Sequence, residues 1–517
     1  MIERPKMAEE GNARWCILIA IVLTLCANIP LLVLNTDMVF IDDWAWIWVT
    51  HWKGAAALRE IYWQAAHPWF GPLFNILFWL GGETPGRFGR SVELAFHLAN
   101  GWLLWRIFNE GRSTPAFATT VAILFLASPF LGGYRATLNP CDILIFFYLL
   151  SILLSGRSNI FAYVGSLVTL AIGIGVETLA ALEPIRWWYL YKSGNSPAAV
   201  VRKAWPFVLI VSVVAVSRAT WMAPYGVYAG HNSLKPFVLS NFIHHIVLHL
   251  NYFVDAFEPT RYVVDLFVYD NGVIVIYIAL LAGLIAYWQF RLRGLPDHRD
   301  AMRLLLLGLV VLTFGMLPYV ATERNPPGWK GFYAYLAVAS QLGVLILAAL
   351  LISILPARIL RGAVVGFIAF VFSAMQVQFG KWALYDDQVL ADFHAQLATE
   401  FKSNERELLI VRFIPASNDI LFLKTCLANY AMNVALDVRG LRNGSFAYDY
   451  DCGGEMYTKA GKCGVAGYEL VPCPPKKTAE FLINPGMEDF TQFRLVDLAS
   501  RSLFGPNLSV GTLVVQR

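Results

Sequence analysis

The sequence predicts an α-helical polytopic membrane protein that carries a soluble α/β domain outside the membrane at its C-terminal end. Three observations predict it. Of 517 residues, 57% are hydrophobic and 15% charged, against roughly 45–50% and 25% in soluble proteins. Apolar runs close to the ~20 residues that cross a bilayer core recur from Trp15 to Gly380. From about Lys381 those runs stop and charges become frequent. The chain therefore divides into a membrane domain over 1–380 and a domain of ordinary soluble size over 381–517. A formal net charge of only +4 gives a nucleic-acid partner no electrostatic support. The partner that composition implies is the lipid bilayer.

The first apolar run, Trp15 to Leu34, follows Arg4, Lys6 and Arg14. It is longer than the apolar region of a cleaved signal peptide and lacks a small-residue cleavage site, so it is expected to stay as a first span. With those three cations in the cytoplasm, the positive-inside rule tests every later connection. Arg106 and Arg112, then Arg157, then Lys192, Arg202 and Lys203, then Arg291 to Arg303, then Arg358 and Arg361 fall in alternate connections. About eleven spans result, near 15–34, 88–107, 116–134, 140–155, 160–176, 177–191, 204–222, 272–290, 304–322, 333–353 and 362–380. The N-terminus is then cytoplasmic and the C-terminal domain outside. Trp69 to Leu80 is short for a span, and Phe237 to Phe257 carries His244, His245 and His249. Both are expected as interfacial or re-entrant helices on the outer side, because counting either one as a span would put most Arg clusters outside.

In the outer domain, Val389, Leu390, Phe393, Leu397 and Phe401 have amphipathic-helix spacing, while Leu408 to Ile414 and Leu513 to Val515 read as strands. Cys426, Cys452, Cys463 and Cys473 all fall in this domain. Four cysteines in an oxidising compartment suggest up to two disulfides, whose pairing spacing alone does not decide. The spacing does not resemble a zinc site, and His245 with His249 lacks a third ligand, so no metal is assigned. A divalent cation is compatible with the sequence but nothing in it indicates one.

The chemistry-bearing residues lie in the outer connections. The first contains F-I-D-D-W-A-W, with Asp42 and Asp43 a few residues beyond the membrane and Trp44 beside them. A carboxylate there can take a proton from an acceptor hydroxyl, and an aromatic can hold a sugar; the same residues would also serve as a helix cap and an interfacial belt. Next come H-P-W-F-G-P-L-F-N, beginning at His67, and a helix with Glu93, His97 and Asn100 on one face. Such a face lines a cavity or satisfies a neighbouring helix. Arg135, Asn139 and Asp142 stand at the outer end of the third and fourth spans, and Glu177 where the fifth and sixth meet. Glu183 and Arg186, three apart, are expected to neutralise each other. Between the ninth and tenth spans, A-T-E-R-N-P-P-G-W-K offers Glu323, Arg324 and Lys330, cations suited to a lipid phosphate or to headgroup anchoring.

The order F-I-D-D-W, H-P-W-F-G-P-L-F-N, E-L-A-F-H-L-A-N, G-V-E-T-L-A-A-L-E-P, then T-E-R-N and Y-A-Y-L resembles the polytopic GT-C glycosyltransferases over about residues 15–350. The resemblance implies a polyprenyl-phosphate sugar donor and inverting transfer to a glycan acceptor on the periplasmic side of a bacterial inner membrane. O-antigen is one such acceptor. It implies Asp42 or Asp43 as base, and Arg324 with Lys330 as contacts to the donor phosphate. Trp44, His67, His97, Arg135, Glu177 and Glu323 become candidate substrate contacts. Gly71 stands before Pro72 where many relatives have Arg. A transporter or flippase of lipid-linked sugars, or a glycan polymerase or ligase, is the alternative for such a chain.

Overall fold

Fourteen α-helices and six strands are assigned among the described residues of the computed structural model. The structure describes residues 3–32, 42–68, 70–82, 85–129, 141–175, 177–222, 224–225, 238–255, 264, 266, 268, 270, 272–292, 296–322, 338–403, 408–414, 446–449, 462–465, 469–472, 475–484, 494, 497–499 and 511–516. The helices are α1 (Glu3–Leu32), α2 (Asp42–Gln64), α3 (Phe70–Gly81), α4 (Pro85–Glu110), α5 (Pro115–Ala127), α6 (Cys141–Ser155) and α7 (Ile160–Gly173). A 3-10 turn, Glu177–Leu182, then leads to α8 (Glu183–Lys192), α9 (Pro197–Thr220), α10 (Leu239–Asp255), α11 (Val273–Arg291), α12 (His298–Thr322), α13 (Val338–Ser353) and α14 (Arg358–Ser403).

Among the described residues, five segments are long and apolar enough to cross a bilayer: Glu9–Leu32, Pro197–Arg218, Val273–Arg291, His298–Ala321 and Arg358–Phe401. Their outward faces are as apolar as their inward ones. On α1, Trp15, Leu18, Val22, Leu25 and Ile29 form an exposed stripe, while Cys16, Ile17, Ala20, Leu23 and Ala27 are buried. On α9, Val201, Trp205, Leu209, Val213 and Val216 are exposed. A water-facing helix would present polar residues there, so the bundle has the surface of a helical membrane protein.

Helix α5 sits at the centre, packed by α1, α4, α13 and α14, with every residue from Ala116 to Ala127 buried. Thr114 caps its start by accepting from the Phe117 N–H, and Pro115 fills the first position, where a missing N–H costs nothing. Its 13 residues rise about 20 Å, short of a ~30 Å hydrocarbon core. Its last carbonyls therefore end inside protein and need partners. Gln376 of α14 donates to the carbonyls of Ala127 (2.9 Å) and Leu126 (3.3 Å), and Thr24 of α1 donates to Leu126 (3.1 Å). Asn28 completes the node by donating to the Gln376 side-chain oxygen at 3.0 Å. Near the other end of α5, Gln289 of α11 donates to the Ala116 carbonyl (3.0 Å) and the Thr120 hydroxyl (2.7 Å).

Short connections at 111–114, 156–159, 193–196 and 354–357 join α4 to α5, α6 to α7, α8 to α9 and α13 to α14. They gather at one end of the bundle. Glu110 meets Arg106, Arg157 (3.0 Å) and the Tyr189 hydroxyl (3.1 Å), while Asp300 meets Lys192 (2.8 Å) and Arg303 (3.2 Å). These are the connections that the charge pattern groups together. Helices α12 and α13 approach closely where Gly315 and Gly343 face the partner backbone; a Cβ on either would lie 2.4 Å from a main-chain nitrogen.

Helix α14 runs unbroken through residue 380, where composition divides the chain. Val389, Phe393, Leu397 and Phe401 lie fully buried on one face, as their spacing predicts. Beyond it lie the strands β1 (Leu408–Ile414), β2 (Phe446–Asp449), β3 (Lys462–Val465), β4 (Glu469–Pro472), β5 (Lys476–Ile483) and β6 (Gly511–Gln516). β1 runs parallel to β2 and β5, and β6 closes the sheet antiparallel to β5, in the order β2-β1-β5-β6. β3 and β4 form a separate antiparallel pair. Phe393 meets Phe481 edge-on at 5.1 Å, and Gln396 bonds β6 through the Gly511 carbonyl (2.9 Å) and the Leu513 N–H (2.7 Å). No disulfide occurs among the described residues. Cys426, Cys452 and Cys473 lie outside them, and only the backbone of Cys463, in β3, is described.

Gln376→Leu should lose about 1–3 kcal/mol of stability, because it leaves buried carbonyls and Asn28 without their partner. Adding Asn28→Leu should cost less than the two single changes summed, since both ends of one bond are then removed. Thermal unfolding of the four detergent-purified proteins measures the coupling, and strict additivity would contradict the node.

Candidate functional site

His67, Arg218 and the start of α6 at Asp142 lie at the end of the bundle opposite the basic connections. Asp42 and Asp43 form the first residues of α2, where a carboxylate favours the positive end of the helix dipole. Their side chains, and those of Trp44 and Glu177, lie outside the description, as do Arg135, Glu323, Arg324 and Lys330 altogether.

Helix α2 ends at Gln64, and the chain reverses through Ala66, which has a positive φ of 61°, into His67 and α3. This reversal sets the His67 ring edge-on to Phe70 at 5.3 Å. Arg218, in the last turn of α9, reaches His67 Nε2 with its Nη2 at 3.4 Å. A guanidinium only donates, so Nε2 accepts and the ring proton sits on Nδ1. Burial, followed by the Arg218 charge, pushes the His67 pKa down to about 3; a weaker contact to the Gly175 backbone pulls the other way. His67 is therefore neutral near pH 7, and the pair carries the charge of Arg218. Tyr225 ties the end of α2 to the segment after α9: its N–H donates to the Gln64 carbonyl (3.0 Å) and its hydroxyl to Glu60 (2.7 Å). The structure thus brings Arg218, at the end of α9, to His67 after α2. The sequence reading passes over Arg218, although a cation closing a long apolar helix is itself a signal.

A second cluster stands between α4 and α6. Glu93, His97 and Asn100 share one face of α4, and all turn toward Asp142 in the first turn of α6. Glu93 Oε2 accepts the Asp142 N–H at 2.7 Å, satisfying one of the free donors at the start of α6. His97 Nδ1 lies 3.2 Å from Asp142 Oδ1, and Asn100 donates to the Asp142 carbonyl at 3.0 Å. The His97 ring stacks on Phe125 at 4.7 Å. All four side chains are fully enclosed, as is Arg90, one turn before Glu93. Of the two roles open to this face, the structure shows the one that satisfies a neighbouring helix.

Glu183 and Arg186 make the expected pair, with two guanidinium contacts at 3.0 Å. Tyr148 donates to Glu183 at 2.7 Å, Arg186 donates to Ser151 at 3.1 Å, and the guanidinium lies 4.0 Å from the Phe207 ring centroid. This network ties α8 to α6 and α9. The arrangement with the most evident chemistry is the first: a half-buried cation beside a neutral imidazole, suited to an anionic oxygen such as a phosphate.

Because His67 has a folded-state pKa near 3 against an ordinary 6.5, the unfolded chain binds its proton more readily between those values. The His67 contribution is therefore intact above pH 6.5 and is lost as pH falls toward 3. His67→Gln should weaken the loss of thermal stability between pH 7 and pH 5; an unchanged pH dependence would show that His67 is not held neutral. A scan against models of known protein families finds no match to this chain, and a search of curated proteins returns none.

Proposed function

We propose that the chain is an inverting glycosyltransferase that moves a sugar from a polyprenyl-phosphate donor to a hydroxyl of a cell-surface glycan, such as O-antigen, on the periplasmic side of a bacterial inner membrane. About eleven spans, a cytoplasmic N-terminus and an outer α/β domain over 381–517 belong to this reading. The observation that carries it is the contact between His67 and Arg218, 151 residues apart, at the end of the bundle away from the basic connections. Residues from distant outer segments meet there, as a site served by a membrane-bound donor requires.

In the proposed reaction Asp42 or Asp43 takes the proton of the acceptor hydroxyl, whose oxygen attacks the anomeric carbon. The bond from that carbon to the phosphate oxygen breaks, and the polyprenyl phosphate leaves as an anion balanced by Arg324 and Lys330. The Arg218 charge, beside a neutral His67, adds to the cationic field that such a leaving group needs.

Asp42→Asn and Asp43→Asn, assayed separately with a polyprenyl-phosphate sugar and a glycan acceptor, should show one variant slowed by about 10²–10⁴-fold. Arg218→Gln should slow transfer by a smaller factor. Full transfer by both Asp variants would overturn the mechanism. Movement of donor lipid across reconstituted vesicles without glycoside formation would point to a flippase instead.

A further inference from the structure

A cavity of about 610 Å³ opens on the flank of the bundle between the 3-10 turn and α8 on one side and α9 and α12 on the other. Among its lining residues are Trp187, Tyr191, Arg303, Leu306, Val310 and Phe314. Leu306 and Phe314 are more than half exposed, so the space faces outward, where the bundle meets lipid. From Arg303 to Phe314 the wall is one face of α12, about 16 Å long at 1.5 Å per residue. That is close to half of a ~30 Å hydrocarbon core, the depth of one leaflet.

The two ends of this groove differ in charge. At its mouth, by the basic connections, the Arg303 guanidinium lies 5.3 Å from the Tyr191 ring centroid and its Nη2 reaches the Tyr191 hydroxyl at 3.3 Å. Two cations, Arg303 and Lys192, share the Asp300 carboxylate there. At the deep end Glu183 is engaged by Arg186 and Tyr148 and adds no net charge.

We propose that this groove is a binding site for one anionic phospholipid. Its phosphate meets Arg303, and an acyl chain lies along Leu306, Val310 and Phe314. The length selects a chain of one leaflet, the aromatic mouth suits headgroup depth, and two cations sharing one carboxylate favour a negative headgroup over a zwitterionic one. The site is separate from the proposed transfer site, at the other end of the bundle, and does not depend on that activity.

The test uses the full chain, purified in detergent and stripped of lipid, with phosphatidylglycerol, phosphatidylcholine or inorganic phosphate added. Native mass spectrometry and thermal unfolding read the binding. Phosphatidylglycerol should be retained and raise the unfolding temperature, and neither of the others should match it. Leu306→Trp fills the groove from an exposed position, and Arg303→Gln removes the cation. Each should weaken phosphatidylglycerol binding by about tenfold, close to 1.4 kcal/mol, while Val213→Trp on the lipid face of α9 should not. Equal retention of phosphatidylcholine, an equal effect of inorganic phosphate, or parental binding by Leu306→Trp would each overturn the proposal.

Discussion

A short helix buried on every side must find partners for its terminal carbonyls within the protein, and the arrangement around α5 follows from that constraint. Lipid offers no donors, so a buried carbonyl left unsatisfied would cost about 1–3 kcal/mol. Gln376 and Thr24 supply the missing donors, which fixes α14 and α1 against the end of α5 at the same level. Gln289 bonds α11 to the other end of α5 through the Ala116 carbonyl and the Thr120 hydroxyl. Three helices far apart in sequence are thereby registered on one central element by directional bonds. The apolar contacts around them add packing but little register, because one apolar residue slides past another at small cost.

The same economy separates the two ends of the bundle. At the basic end the connections are tight, and their charges are paired among themselves through Glu110 and Asp300. At the other end the described residues include a reversal at Ala66, a 3-10 turn and the His67–Arg218 contact.

How much of this the amino-acid pattern reveals depends on the range of each interaction. Charge in a bilayer is costly enough that the positions of Arg and Lys show which connections lie together, and their contacts agree. The i, i+3 pairing of Glu183 with Arg186 is legible because it is local; its partners Tyr148 and Ser151 lie 35 residues away and are not. His67 and Arg218 are separated by 151 residues, beyond any spacing rule. Among the strands, Leu408–Ile414 is evident from an apolar run that only Arg412 interrupts. Lys476–Ile483 buries Ala479, Phe481 and Ile483 in alternation but is disguised by the lysines and glutamate between them. The break expected near residue 380 is absent because composition there records a change of solvent. The backbone meets no Pro or Gly from Lys381 to Ser403 and has no reason to leave the helix.

That continuity has a mechanical consequence. A helix of 46 residues is about 69 Å long, more than twice a ~30 Å hydrocarbon core. Its first half is held by α1, α5 and α11, and its second half by β6 and Phe481. Between them Lys381 and Asp270 form a fully buried pair at 3.0 Å. Separating such a pair would leave a charge without its partner at a cost of about 3–5 kcal/mol. The sheet therefore cannot swing relative to the bundle unless α14 bends or that pair opens, and with neither event its position is set by the same helix that caps α5. One element thus couples the satisfaction of the membrane core to the placement of the β-sheet.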